Sequence, residues 1–265
     1  ALLDAAAYAP TGRVDLAETP ADFVPLSWYK ITGYPSGVGC LVARRDALEG
    51  LRRPWFAGGT VLASSARTDW HLSAPVPERF EDGTPPFLVL PDVTAAVAWF
   101  GAVGQPAVAA HTATLTGRLL DGLGALRHPG GEPAVRVLGP EGLAGRGPAV
   151  AFNLLRRDGS VIDERVGLAA AAAARVDVRS GCFCNPGVTE LANDIGPETV
   201  RRALGRGRPA DADAYLRLLA VRAQGALRAS VGIATNAADV DRLLNVCADL
   251  AAHPAPDPGT PRTGC

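Results

Sequence analysis

Asp22-Phe23-Val24-Pro25-Leu26-Ser27-Trp28-Tyr29-Lys30-Ile31-Thr32-Gly33-Tyr34-Pro35-Ser36-Gly37-Val38-Gly39 is the stretch on which the fold turns. Asp22 to Leu26 predicts a short strand. Gly37 and Gly39 supply a turn, and Gly39 to Ala43 predicts the next strand. Between the two lies Lys30, the only lysine among 26 basic residues, so the other basic positions are all arginine. A guanidinium stays protonated, whereas a lysine amine can lose its proton and attack a carbonyl. Rarity alone fits compositional drift as well as a chemical role. The neighbourhood favours the role, because an apolar run closed by a glycine turn is where a cofactor-bearing amine would be held out of water.

Composition narrows the classes. With 265 residues, the chain should form one large or two smaller domains. It is 48% hydrophobic and 20% charged with a net charge of -1, so no basic field points to nucleic acid. No apolar run approaches the ~20 residues that span a bilayer. The chain contains no methionine and opens on Ala1-Leu2-Leu3-Asp4, which resembles the end of a buried strand. The expectation is therefore the carboxyl-terminal part of a longer protein with no secretory pattern before it. Five cysteines at irregular spacing (Cys40, Cys182, Cys184, Cys247 and Cys265) suggest reduced thiols in a cytoplasmic protein.

Working outward from Lys30, Pro54 to Thr60 and Pro75 to Pro86 are expected to be loops, and Pro91 to Val103 a helix. A Gly-Gln-Pro break follows at Gly104, and His111 to Leu126 carries leucines at helical spacing. A domain boundary is placed near Gln105. Beyond it the pattern alternates. Strands are expected at Val135 to Leu138, Ala149 to Asn153, Val176 to Arg179 and Leu227 to Val231. Helices are expected at Val166 to Ala174 and Asp211 to Arg222. A last helix is opened by an Asn236-x-x-Asp239 cap and runs to about Ala252. Residues 1–105, 106–252 and 253–265 thus form a first domain, a second domain and a Pro/Gly-rich tail or linker expected to be disordered.

Several stretches carry chemistry together: LLDAAAYAPTGRVDL (2–16), the run from Asp22 to Leu48, FAGGTV (56–61), RFEDGTP (79–85), VRSGCFCNPG (178–187) and LRASVGIATNAADVDRLL (227–244). An aspartate ending an apolar strand, a lysine about two dozen residues on, and hydroxyls and backbone amides for a phosphate are the roles that pyridoxal phosphate chemistry requires. In this set and order the chain resembles the class V aminotransferase and cysteine desulfurase group of fold-type I pyridoxal-phosphate enzymes. Within it, the chain is most similar to the desulfurase domain of molybdenum cofactor sulfurases.

The resemblance implies an α/β fold: the carboxyl-terminal part of a large, mostly parallel-sheet domain, then a small α/β domain, with the site in the cleft between them. It implies pyridoxal 5'-phosphate as cofactor. Lys30 would form the Schiff base, Asp4 would pair with the pyridine nitrogen, and Ser27 would contact the phosphate. Thr60 would reach the phosphate of the partner subunit's cofactor in a homodimer. Arg228 would bind the substrate carboxylate through a bidentate fork. Two positions depart from the general desulfurase pattern, Ala7 in place of Gln and Tyr29 in place of His, and both favour the sulfurase branch.

Cys182-Phe183-Cys184 selects the reaction. From the residues alone, two inert thiols or half a metal site remain open, although C-x-C without a second cluster is weak for zinc. The resemblance puts Cys184 at the nucleophile's place, with Arg179 as nearby positive charge that favours a thiolate. The implied reaction takes L-cysteine to alanine and an enzyme persulfide, with the molybdenum cofactor as a candidate sulfur acceptor. A class V aminotransferase or lyase on another amino acid, and a truncated inactive fragment, are the alternatives. His71, His111, His128 and His253 are expected to be ordinary surface or loop residues.

Overall fold

The structure is a computed structural model that describes residues 1–253, 256–259 and 262. The chain divides into two compact units, Ala1–Ala107 and the part from Val108 onward. The division falls two residues beyond the expected Gln105.

In the first unit, β1 (Phe23–Ser27) pairs antiparallel with β2 (Gly39–Ala43), from Phe23 opposite Ala43 to Ser27 opposite Gly39. Gly39 is required here, because a Cβ on it would lie 2.7 Å from the Leu26 carbonyl oxygen. The short helix α1 (Trp28–Thr32) leaves β1 directly and stops at Gly33, whose φ of +80° suits glycine. Leu2 bridges Phe23 in parallel, and the Leu3 N–H donates to the Phe23 carbonyl at 2.9 Å. Ala5, Ala9 and Val24 form the small core here. The Pro35-Ser36-Gly37 turn returns the chain beside β1, and such a short connection permits only an antiparallel pair. Helix α2 (Arg45–Glu49) follows. A second hairpin, β3 (Val61–Ser64) with β4 (His71–Ser73), has no counterpart in the sequence reading. Helix α3 (Leu90–Val103) then leads to Gly104 (φ +85°).

Helix α4 (Gln105–Ala125) starts six residues before the expected His111 and buries Val108, Leu115, Leu119, Leu120 and Leu123. This stripe at helical spacing meets the sheet of the second unit. There β5 (Val135–Leu138), β6 (Ala149–Leu154), β8 (Ala226–Ser230) and β7 (Arg179–Gly181) lie in the spatial order β5-β6-β8-β7, all antiparallel. Val150, Phe152, Leu154, Leu227 and Ala229 project from one face into the same core as α4, α5 (Glu164–Ala173) and α9 (Ala237–Ala252). Side chains alternate along a strand, so Arg228 faces away from that core. Asn236 caps α9, and Asp239 returns the bond to the Asn236 N–H in a complete capping box. Helix α5 begins at Glu164 under an Asp163 cap, two residues before the expected start. Helices α6 (Gly187–Ala192) and α7 (Pro197–Gly205) were not expected, and α8 covers only Ala212–Leu219. No single helix among the described residues is long and apolar enough to cross a membrane.

His128 corrects the surface expectation for the histidines. It is buried, and its ring nitrogens reach the Ala251 carbonyl at 2.9 Å and the Leu155 carbonyl at 3.0 Å. The tail also differs from expectation among its described residues. Asp257 pairs with Arg156 at 2.6 Å and Arg222 at 2.7 Å. The Arg262 side chain is 3% exposed, pairs with Asp163 (2.8 Å), Glu164 and Asp213 (3.3 Å), and donates to the Arg222 carbonyl. The rest of the expected disorder, at 254–255, 260–261 and 263–265, lies outside the described residues.

This ion cluster gives a stability prediction. Burial by itself would raise the Asp163 carboxyl. The Arg165 hydrogen bonds and the Arg262 and Arg165 charges outweigh it and hold the group below its ordinary value. A depressed carboxyl stabilises the fold above its unfolded pKa of about 3.9, and that contribution is lost as pH falls through the lower folded value. Arg262→Ala leaves the buried Glu164 carboxylate without its cation and is expected to cost about 3–5 kcal/mol at neutral pH in urea unfolding. The deficit should shrink as pH falls below about 4 and the Asp163 carboxylate protonates. An unchanged midpoint at neutral pH would contradict the buried pairing.

Candidate functional site

The first unit holds Asp4, Ser27, Lys30 and Thr60. Asp4 follows the Leu2–Leu3 segment that runs parallel to β1, so it lies at that segment's carboxyl end, as Ser27 ends β1 and Lys30 lies just beyond it. Carboxyl ends of parallel neighbours are where α/β folds place ligands. The Asp4 carboxylate is exposed, and its Oδ1 accepts the Ala6 N–H at 3.0 Å, which fixes its rotamer. Ser27 stands at the N-cap of α1, yet its hydroxyl makes no capping bond. Lys30, in the last turn of α1, is exposed and has no ion pair among the described residues. The sequence suggested an amine shielded from water. Instead α1 has no buried residue at all.

Thr60 is 2% exposed and turned inward. Its hydroxyl accepts from the Ala57 N–H at 2.9 Å and donates to the Ala57 carbonyl at 2.8 Å, closing the Gly58-Gly59 turn. A reach from Thr60 to an external phosphate is thus not a geometry present here. The same loop is tied to the RFEDGTP segment. Arg53 pairs with Asp82 at 2.7 Å and donates to the Arg79 carbonyl at 2.6 Å. Arg79 in turn donates to the Leu48 and Glu49 carbonyls at the end of α2. Two motifs separated in sequence are one structural piece, a link that spacing could not reveal.

The second unit holds Cys184 and Arg228. The segment entering β8 is held at every residue. Asn193 donates to the Ala223 carbonyl (2.9 Å), Thr189 to the Gln224 carbonyl, and Asn153 to the Gly225 carbonyl (3.0 Å). Glu164 accepts the Gln224 N–H at 3.1 Å. Gly225 passes so close to β7 that a Cβ on it would lie 2.0 Å from the Gly181 carbonyl oxygen. This close approach locks the base of the Cys182–Asn185 turn against the start of β8.

Across the β7–β8 ladder Arg179 is opposite Arg228, a like-charge pair that is unfavourable without an anion nearby. The Arg228 Nε is buried and has no hydrogen-bond partner among the described residues, and its guanidinium carbon lies 5.0 Å from the centre of the Phe183 ring. Burial, and then the Arg179 charge, pull the Arg228 guanidinium below its ordinary value, while its electrostatic interaction with Cys184 opposes the shift. The site therefore offers unsatisfied positive charge and a planar donor fork to an anion.

The turn itself is Cys182–Asn185, closed by the Asn185 N–H donating to the Cys182 carbonyl at 2.9 Å. Its central residues, Phe183 (φ +55°) and Cys184 (φ +60°), are both left-handed, as in a type I′ turn. For residues with a Cβ this costs about 1–2 kcal/mol each. Strain of this kind is typical of functional positions. Cys184 is an exposed free thiol at the tip. Cys182 is buried at the base and disulfide-bonded, so the expectation of reduced thiols fails at that position.

The class-V aminotransferase family model matches residues 1–243. The chain is 35% identical over 252 residues to the molybdenum cofactor sulfurase of Bos taurus, covering 92% of this chain and 28% of that protein. It is 34% identical over 265 residues to that of Homo sapiens, covering 97% of this chain and 29% of that protein. The chain thus spans less than a third of the length of these relatives. Among solved structures, the cysteine desulfurase of Thermococcus onnurineus NA1 superposes with a TM-score of 0.69 at 24% identity, over 94% of this chain and 52% of the other. That of Escherichia coli gives 0.66 at 21%, over 94% and 51%. The fold is the α/β fold of the fold-type I pyridoxal-phosphate enzymes, of which this chain is a part. On the match from residue 1 to residue 243, the chain belongs to the class-V aminotransferase family.

Proposed function

We propose that this chain is the lysine- and nucleophile-bearing part of a pyridoxal-phosphate-dependent cysteine desulfurase of the molybdenum cofactor sulfurase kind. The observation that carries the reading is the exposed Cys184 thiol on a strained turn, within electrostatic reach of an Arg228 guanidinium whose buried Nε has no hydrogen-bond partner among the described residues. An aminotransferase has no use for such a thiol.

The residues of the first unit fit the cofactor. Lys30 supplies an exposed amine, Ser27 a hydroxyl not spent on capping α1, and Asp4 an oriented carboxylate at a strand's carboxyl end. Pyridoxal phosphate, when bound, supplies an electron sink for the substrate's carbon skeleton. The chain's own residues do the rest. Arg228 takes the carboxylate of L-cysteine. The Cys184 thiolate attacks the substrate sulfur; a sulfur–sulfur bond forms, the carbon–sulfur bond breaks, and its electron pair stays with carbon. That carbon takes up a proton, alanine leaves, and Cys184 carries a persulfide. The names of the relatives support a molybdenum cofactor as the sulfur acceptor. A homodimer in the cytoplasm is the proposed setting.

Incubating the full-length protein with L-cysteine and no acceptor tests this reading. The expected products are alanine and protein-bound sulfur in equal amounts in the first turnover. A keto acid without protein-bound sulfur would overturn the reading in favour of an aminotransferase.

A further inference from the structure

The Arg228 guanidinium is held in an unusual way. A buried arginine is ordinarily fixed by carboxylates or carbonyls, as Arg262 is by Asp163, Glu164 and Asp213. Arg228 has no ion pair among the described residues, and its Nε is buried and unbonded. It also faces Arg179 across the ladder. What it does have is the face of Phe183 at 5.0 Å. An aromatic face attracts the cation without occupying its N–H groups. It therefore orients the fork while leaving the donors for a ligand.

Phe183 can do this only because of the turn. A left-handed φ of +55° at Phe183 and +60° at Cys184 makes the two residues consecutive corners of the same turn, whose base is closed by the Asn185–Cys182 bond. The turn's foot at Gly181 is packed against Gly225, three residues before Arg228. Ring, thiol and guanidinium are thus parts of one small rigid assembly.

We infer that Phe183 is a positioning residue that holds Arg228 for the substrate's carboxylate and places that grip and the Cys184 nucleophile on one turn. This rests on the amino-acid-binding role given to Arg228 above, and not on the desulfurase step. The ring contributes orientation rather than chemistry. Its loss should weaken ligands in proportion to their use of the carboxylate, and a ring of the same shape should restore them.

The test uses the full-length protein with its coenzyme and two probes followed by spectral titration. L-Alanine has the carboxylate and no thiol; cysteamine has the thiol and no carboxylate. Phe183→Leu is expected to weaken L-alanine about tenfold while leaving cysteamine within about twofold. The KM for L-cysteine should rise by the same factor, with kcat changed less than about threefold. Phe183→Tyr should restore L-alanine affinity. Phe183→Met, which keeps bulk and flexibility without a ring, gives the same comparison if the leucine variant fails to fold. Equal weakening of both probes, unchanged L-alanine binding, or no rescue by tyrosine would overturn the inference. Because L-alanine binding needs no sulfur chemistry, a wild-type protein that releases no alanine from L-cysteine would sink the desulfurase reading while leaving this result readable.

Discussion

Lys30→Arg is expected to abolish covalent retention of pyridoxal phosphate by the full-length protein. The wild type, reduced with borohydride, should yield a single labelled peptide containing Lys30, and the variant none. The visible absorbance of the bound coenzyme should disappear with it. Within residues 1–265 there is no other lysine whose amine could substitute. Arginine keeps the positive charge and most of the length, and it lacks an amine that can lose its proton and attack an aldehyde. Charge-based binding of the phosphate would survive this change, and covalent attachment would not. The α1 helix should be undisturbed, because Lys30 is exposed and makes no ion pair among the described residues. A labelled, borohydride-stable adduct on the arginine variant would remove Lys30 from the site.

Cys184→Ser is expected to lower alanine release from L-cysteine by about three orders of magnitude or more, the scale on which loss of an essential nucleophile is felt. Coenzyme retention should be unchanged, since nothing in the first unit depends on the thiol. Cys182→Ser should keep most of the turnover, because Cys182 is buried and disulfide-bonded at the base of the turn, whereas Cys184 is a free thiol at its tip. The reverse pattern would exchange their roles. Activity in both variants would remove the thiol mechanism altogether.

What the sequence made legible follows from what kind of signal each element carries. Helices α4 and α9 were readable because a long apolar stripe and an Asn236–Asp239 box are local patterns with one physical reading. The strands β1, β2, β5, β6 and β8 were readable from short apolar runs between glycines. The pairing of β1 with β2 was legible in principle from the short turn between them. Hairpin β3–β4 and helices α6 and α7 were missed because His71 to Ser73 is short and largely exposed, and Gly187 to Gly205 contains Pro197, three glycines and few buried side chains.

The site shows the same division. Residue types and order pointed to Lys30, Asp4, Ser27, Cys184 and Arg228. Spacing could not reveal that Thr60 closes its own loop, that Arg179 lies opposite Arg228, or that Phe183 stacks on that guanidinium. Those are long-range or conformational facts. The one local hint was Phe183 between two cysteines before Asn-Pro-Gly, a stretch whose left-handed corners no propensity favours.

The central claim is that Cys184 receives sulfur from the substrate. A single turnover of the full-length protein with sulfur-labelled L-cysteine, quenched by alkylation and mapped by peptide mass spectrometry, tests it directly. The account predicts one labelled sulfur on the peptide carrying Cys184, released by a thiol reductant and matched by one alanine. Label on another cysteine, or alanine formed with no protein-bound sulfur, would contradict it.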